Sequence, residues 1–320
     1  MGQAWPGMGE DLHDNRGVLD GRTNTLRSNF SGTSWPTDDV SEGQTSYNTT
    51  TGLLGLRKSD AYVPLNAIIE NRLFYKNLVI TNNATTPATQ LDISADFISC
   101  NGYAITSATT WTLDAGQTQT ADEANKRDSA TGLVADTWYF IYLIVDTGAS
   151  EPLGQSPTFA TILSTNSTTP TLTSSGYDKF VRIGAVRTLS GAATFREFQQ
   201  TDNVVFYTDG SSDTDTNILS TATPATSFTD LTIAQLGKSV PNDGTNYFSR
   251  KIFFYATKAT SGTINVRPNN SPSTNGVSPE VLSALPKPYI PMPIAKTGLE
   301  YKASTQTQVD LYVAGYVDII

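Results

Sequence analysis

The stretch Trp138-Tyr139-Phe140-Ile141-Tyr142-Leu143-Ile144-Val145 constrains this chain more than any other. It holds no charged or amide residue, so it lacks the one-sided pattern of a surface helix, and it is far shorter than the ~20 apolar residues of a membrane span. Aromatic and β-branched residues dominate it. Such a run forms a strand covered on both faces, lying centrally in a sheet. A strand of that kind requires layers on either side, and the remaining sequence must provide them.

Composition agrees. Charged residues make up 16% of the 320, against about 25% in an average domain. Polarity is carried by Ser, Thr, Asn and Gln, while Gly and Pro punctuate the chain and Met occurs only 3 times. That balance favours strands and turns over helices. Further strands are predicted at Leu78–Asn82, Gln90–Ala95, Phe97–Cys100, Thr110–Leu113, Thr137–Asp146, Thr158–Ser164, Phe180–Leu189, Phe195–Gln199 and Asn203–Thr208. Turn clusters such as Asn82-Asn83, Asn101-Gly102 and Asp146-Thr147-Gly148 separate them. In Phe180–Arg187, Arg182 is out of phase with Val181 and Ile183, as in a half-buried strand. The fold class is all-β: an antiparallel sandwich or jelly-roll body, preceded by an extended N-terminal arm and a β-hairpin.

Three divisions follow. Residues 1–65 hold the arm and the hairpin, with Gly43–Tyr47 and Leu53–Arg57 flanking Asn48-Thr49-Thr50-Thr51-Gly52. Residues 66–208 form a first sandwich, and Leu65–Tyr75, with near-helical apolar spacing, reads as a short helix at its start or as the entry to its first strand. After the polar linker Asp209–Asn217, residues 209–320 form a second sandwich or the closing strands of the first. The strands there are Ala225–Leu231, Arg250–Lys258, Gly262–Pro268, Tyr301–Ala303 and Gln308–Asp318. Between them, Leu285–Pro293 carries enough proline to be extended.

Most of the usual catalytic constellations are absent from the sequence. With one histidine, His13, and one cysteine, Cys100, neither a triad nor a His/Cys metal site can be assembled. Cys100 reads as a small buried hydrophobe. Asp213-x-Asp215-x-Asn217 opens like a calcium loop, but Ile218 and Pro224 replace its glycine and its bidentate glutamate. Asp92 and Asp96 would lie on the order of 13 Å apart along a strand, too far for a glycosidase pair. The reading is therefore non-enzymatic, with no cofactor and no metal. The net charge of −9 and the scattered Lys and Arg argue against nucleic acid. No stretch is apolar enough to span a membrane, and Met1–Gly7 does not have the pattern of a signal peptide. Trp111, Tyr177 and Tyr247 lie near turns and are candidate platforms for a glycan; packing in the core or between subunits is the competing role.

Two segments resemble known proteins. Asn29-Phe30-Ser31-Gly32-Thr33-Ser34-Trp35-Pro36, followed by Gly43-Gln44-Thr45-Ser46-Tyr47-Asn48-Thr49-Thr50-Thr51-Gly52-Leu53-Leu54, resembles a hairpin module of tail-fibre and appendage proteins of tailed bacteriophages. Ser46 stands where that module has an aromatic residue, and Asn48 where it has Asp. The body, from Asn77–Pro87 through Asp136–Ile144 and Gly176–Val186 to Leu311–Asp318, resembles a β-domain of phage fibre-type structural proteins. The resemblance implies a virion structural protein: an oligomeric fibre or fibre-anchoring appendage, assembled in the host bacterial cytoplasm, that is expected to be a homotrimer. Its partners would be further copies of itself and other tail, neck or capsid proteins. Trp5, Phe30, Trp35, Tyr47, Leu53 and Leu54 would anchor it to the virion. The alternatives are an adhesin that binds host-surface polysaccharide and a capsid or neck decoration protein.

Overall fold

A computed structural model describes residues 45–48, 53–58, 61–64, 73–101, 103–105, 107–118, 124–146, 157–172, 176–208, 216–258, 263–272, 290–294, 298–304 and 308–320. The protein is nearly all β. It divides into two compact units, residues 1–72 with 151–155, and residues 73–150 with 156–320.

In the first unit, β1 (Thr45–Asn48), β2 (Leu53–Lys58) and β3 (Ala61–Pro64) form an antiparallel three-stranded sheet in sequence order. The predicted hairpin is present, with Tyr47 opposite Leu54 and Asn48 opposite Leu53. The third strand is an addition to what the sequence predicts. Trp5, His13, Phe30 and Trp35 lie outside the described residues.

The second unit is built on a nine-stranded sheet. Its order is β20 (Ile290–Pro293), β18 (Ser249–Lys258), β22 (Val309–Asp318), β15 (Val204–Tyr207), β14 (Phe198–Thr201), β5 (Val79–Asn82), β6 (Gln90–Ala95) and β9 (Thr109–Asp114). The ninth strand, β16 (Asn217–Thr221), shares one flank of β22 with β15. Strands from before and after residue 209 thus belong to one sheet.

Over it lies a four-stranded sheet in the order β10 (Lys126–Arg127), β12 (Thr158–Ser164), β11 (Trp138–Asp146), β13 (Tyr177–Arg187). From Trp138 to Val145 every residue of β11 is buried, as the apolar run requires. Burying one such side chain contributes about 1.5–3 kcal/mol, so this strand is a large share of the core. Trp138 meets Tyr316 of the other sheet edge to face, with ring centroids 6.1 Å apart. Two small sheets complete the body: β4 (Phe74–Lys76), β7 (Phe97–Cys100), β8 (Tyr103–Ile105), and β17 (Thr229–Asp230), β21 (Leu299–Ala303), β19 (Ile264–Pro268).

Close approach, not flexibility, accounts for one glycine. A Cβ on Gly315 would sit 2.1 Å from the Val205 carbonyl oxygen. Phe206 and Phe253, opposite it on the two flanking strands, stack over the gap with centroids 4.9 Å apart.

Several expectations change. The strand predicted at Ala225–Leu231 shrinks to Thr229–Asp230, because the chain bends at Ala222–Thr223 and again at Thr226–Ser227, on either side of Pro224. Of Leu65–Tyr75, residues 65–72 lie outside the described residues, and Phe74–Lys76 is a strand, in line with the second of the two readings of that stretch. A short helix, α1 (Ile233–Leu236), does occur, closed by a capping box between Thr232 and Gln235. The turn that follows it is held by the sandwich: Gly237, Lys238 and Ser239 carbonyls accept from Trp138 Nε1 (2.6 Å), Arg187 Nη1 (2.9 Å) and the Tyr207 hydroxyl (2.6 Å).

Arg182 is also not a solvent-facing residue. A register shift between Ile141 and Tyr142 places Arg182, not Ile183, opposite Tyr142. The guanidinium lies over Phe248, 5.0 Å from the ring centroid, and bonds Asp318 Oδ1 at 2.9 Å. Burial pushes the Asp318 carboxyl above its ordinary range in spite of that partner.

Candidate functional site

The sequence proposes chemistry-bearing positions singly, and the structure does not bring them together. Tyr47, Leu53 and Leu54 lie in the paired strands β1 and β2. Tyr247 is buried, 3% exposed, so it cannot offer a ring face to a surface glycan. Tyr177 opens β13 opposite Asp146, and burial raises its phenol above the ordinary value. Trp111 is half-buried and lines a groove. Cys100 is fully buried, and burial pushes its thiol up to about 12. At neutral pH it carries no thiolate to act as a nucleophile. Asp92 accepts from Asn83 and Thr112, and Asp96 accepts from Asn77 Nδ2 at 2.6 Å. Asp213 and Asp215 lie outside the described residues, while the Asn217 side chain accepts from Leu219 N within β16. Among the described residues no three His, Cys, Asp or Glu gather as metal ligands, and no helix is long and apolar enough to cross a membrane.

What the fold does assemble is a set of strand edges, and they differ. On the free side of β13, four carbonyls are filled from elsewhere in the fold. Phe180 O accepts from Asn101 Nδ2 (3.3 Å), Ile183 O from Gln200 Nε2 (2.8 Å), Ala185 O from the Tyr316 hydroxyl (3.2 Å) and Arg187 O from Arg196 N (2.9 Å). At one end of the nine-stranded sheet, β20 carries Pro291 and Pro293, which have no N–H to offer.

At the other end, β9 pairs only with β6 in the sheet. Its ladder alternates, and the parity follows from two hydrogen bonds. Asp114 N donates outward to Asn125 O at 2.8 Å, and on β6 Gln90 O accepts from Asn83 on the β5 side. Leu113, Trp111 and Thr109 therefore bond β6, while Thr112 and Thr110 direct N–H and C=O away from the sheet. Both threonines are exposed, and among the described residues their backbone groups have no partner. The strand Thr109-Thr110-Trp111-Thr112-Leu113-Asp114 contains no Lys and no Pro.

This edge opens into a groove of about 630 Å³. Its described walls are Ala104, Ile105 and Ser107, then Thr109 and Trp111 of β9, then Pro157, Thr158 and Phe159 at the start of β12. Trp111 is opposite Ile93, so it shares the inner face of the sheet with that buried residue. Its indole N–H donates across the groove to Phe159 O at 3.4 Å. Thr161, two residues on, turns its backbone outward to Asn125, so Phe159 does the same and its N–H faces the groove. Among the described wall residues none is charged. A second depression of about 450 Å³ adjoins at Thr109, lined by Asn77, Ser94, Ala95, Asp96, Ala108 and Thr110. The arrangement offers backbone hydrogen bonds and apolar contact.

Sequence reasoning finds Trp111 but not the edge. Whether an N–H points into or out of a sheet depends on pairing with residues about twenty positions away, and the pattern Thr-Thr-Trp-Thr carries no trace of it. No protein-family model matches this chain, and no similar curated protein or solved structure is found.

Proposed function

We propose that this protein is a structural component of a tailed-phage virion, an oligomeric fibre or fibre-anchoring appendage attached through its N-terminal region. The observation that carries the proposal is the segment Gly43–Leu54. Its sequence resembles the appendage hairpin module, and its two strands pair as a hairpin with Tyr47 opposite Leu54. The body supports the same reading: an all-β sandwich whose buried polar groups hold segments in place, as at Gly237–Ser239. A homotrimer is the proposed assembly, as the resemblance to fibre-type proteins implies.

Immunogold labelling of intact particles tests the location. Label at the tail or neck is the expected result, and unlabelled particles with the protein free in the lysate would refute the proposal. Light scattering of the purified full chain tests the assembly. A mass of three chains is expected, and a monomer at micromolar concentration would reject the trimer.

A further inference from the structure

We propose that the outer edge of β9 is an acceptor for an extended polypeptide strand contributed by another protein subunit, which would add to the nine-stranded sheet beside Thr110 and Thr112. The inference rests on the edge itself and holds whether or not the chain is a virion component.

Three observations carry it. First, the outward N–H and C=O groups of Thr110 and Thr112 have no partner among the described residues, although an incoming strand bonds alternate residues in just this spacing. Second, two other described edges of the body are blunted. The β13 edge sets a side chain or a backbone amide on each of Phe180, Ile183, Ala185 and Arg187, and β20 carries two prolines. An unblunted edge invites pairing with another chain, so proteins that do not use one protect it. Third, the edge has apolar walls beside it. It borders a groove walled by Ile105, Trp111 and Phe159, in which alternate side chains of an added strand find apolar contact. The outward N–H of Phe159 stands on the opposite wall.

The chemistry of the occupant follows. The described walls carry no charge, so the strand's groove-facing side chains are neutral and partly apolar, and the backbone supplies the polar contacts. Because β8 and β12 flank the groove, a single extended segment suits it better than the edge of a second sheet.

The test uses the full chain and a blocked peptide with the sequence of Gln90–Ala95, which already pairs with β9 on its other side. Amide hydrogen exchange is read by NMR at each residue of β9 with millimolar peptide. Exchange at Thr110 and Thr112 is expected to slow by about tenfold or more, with Trp111 and Leu113 unchanged. In Thr112→Pro, which lacks one outward N–H, the protection at Thr110 is expected to disappear. Thr110→Pro serves the same purpose, read at Thr112, should the first variant fold poorly. Unchanged exchange at both threonines overturns the proposal. So does equal protection in the proline variants, which places the peptide elsewhere. A shift in Trp111 fluorescence on adding a polysaccharide, with no peptide protection, would reassign the groove to a glycan.

Discussion

Two strand edges of the same body meet opposite fates. On β13, residues distant in sequence reach across to occupy four outward carbonyls: Asn101, Gln200, Arg196 and Tyr316 donate to them. On β9, Thr110 and Thr112 face outward with no backbone partner among the described residues. The β13 edge is covered by the neighbouring sheet, and a carbonyl buried there without a donor would cost about 1–3 kcal/mol. The β9 edge borders an open groove, where water satisfies the same groups at almost no cost. Sealing is thus a requirement of burial on β13, and β9 is left free to take a partner.

The comparison can be broken at β9 itself. Trp111→Pro removes an N–H that the ladder with β6 uses, along with a half-buried indole. It is expected to destabilise by about 3 kcal/mol or more, read as a fall in the urea midpoint. A loss under about 1 kcal/mol would mean that the ladder parity is reversed. Next in size is Gln200→Ala. Gln200 is fully buried, and its Nε2 donates to both Ile183 O and Asp202 O. Two carbonyls lose their donor, and a loss of about 2–3 kcal/mol is expected. Tyr316→Phe deletes only the hydroxyl on Ala185 O, from a residue with no exposed surface. That change is expected to cost about 1 kcal/mol, and no measurable loss would show that the β13 edge does not need its seal.

What the amino-acid sequence shows and what it hides divides along the same line. Strands Gln90–Ala95, Phe97–Cys100 and Thr158–Ser164 have the predicted bounds. Their apolar alternation and flanking turns are local, and local pattern is what decides a strand. Strand β16 escapes a sequence reading because Asn217–Thr221 follows a run of Asp and Ser and pairs only through β22, some ninety residues on. The helix Ile233–Leu236 escapes it too, although Thr232-x-x-Gln235 is a capping box in plain view; four residues are too few for periodicity to register. Alternation alone makes Arg182 an outward residue. The register shift that turns it toward Asp318, 136 positions away, leaves no mark in Phe180–Arg187. The groove is similar. Trp111 stands out as an aromatic near a turn, but Phe159 and Ile105, which make it a wall, come from separate strands.

The smallest expected effect is the most discriminating. Thr112→Pro takes away an N–H that the isolated chain does not use, on an exposed residue of an edge strand where proline is tolerated. It also removes the Thr112 hydroxyl that donates to Asp92 Oδ1 at 3.0 Å, a contact at the surface. Its proline ring biases Trp111 toward the extended backbone that Trp111 already has. Together these changes should cost less than about 1 kcal/mol in the urea midpoint. Trp111→Pro, one residue earlier on the same strand, should cost at least about three times as much. The contrast between adjacent prolines reads out the outward parity of β9 with no partner present. If the two variants lose stability equally, Thr112 already uses its N–H inside the protein, and β9 is a sealed edge like β13.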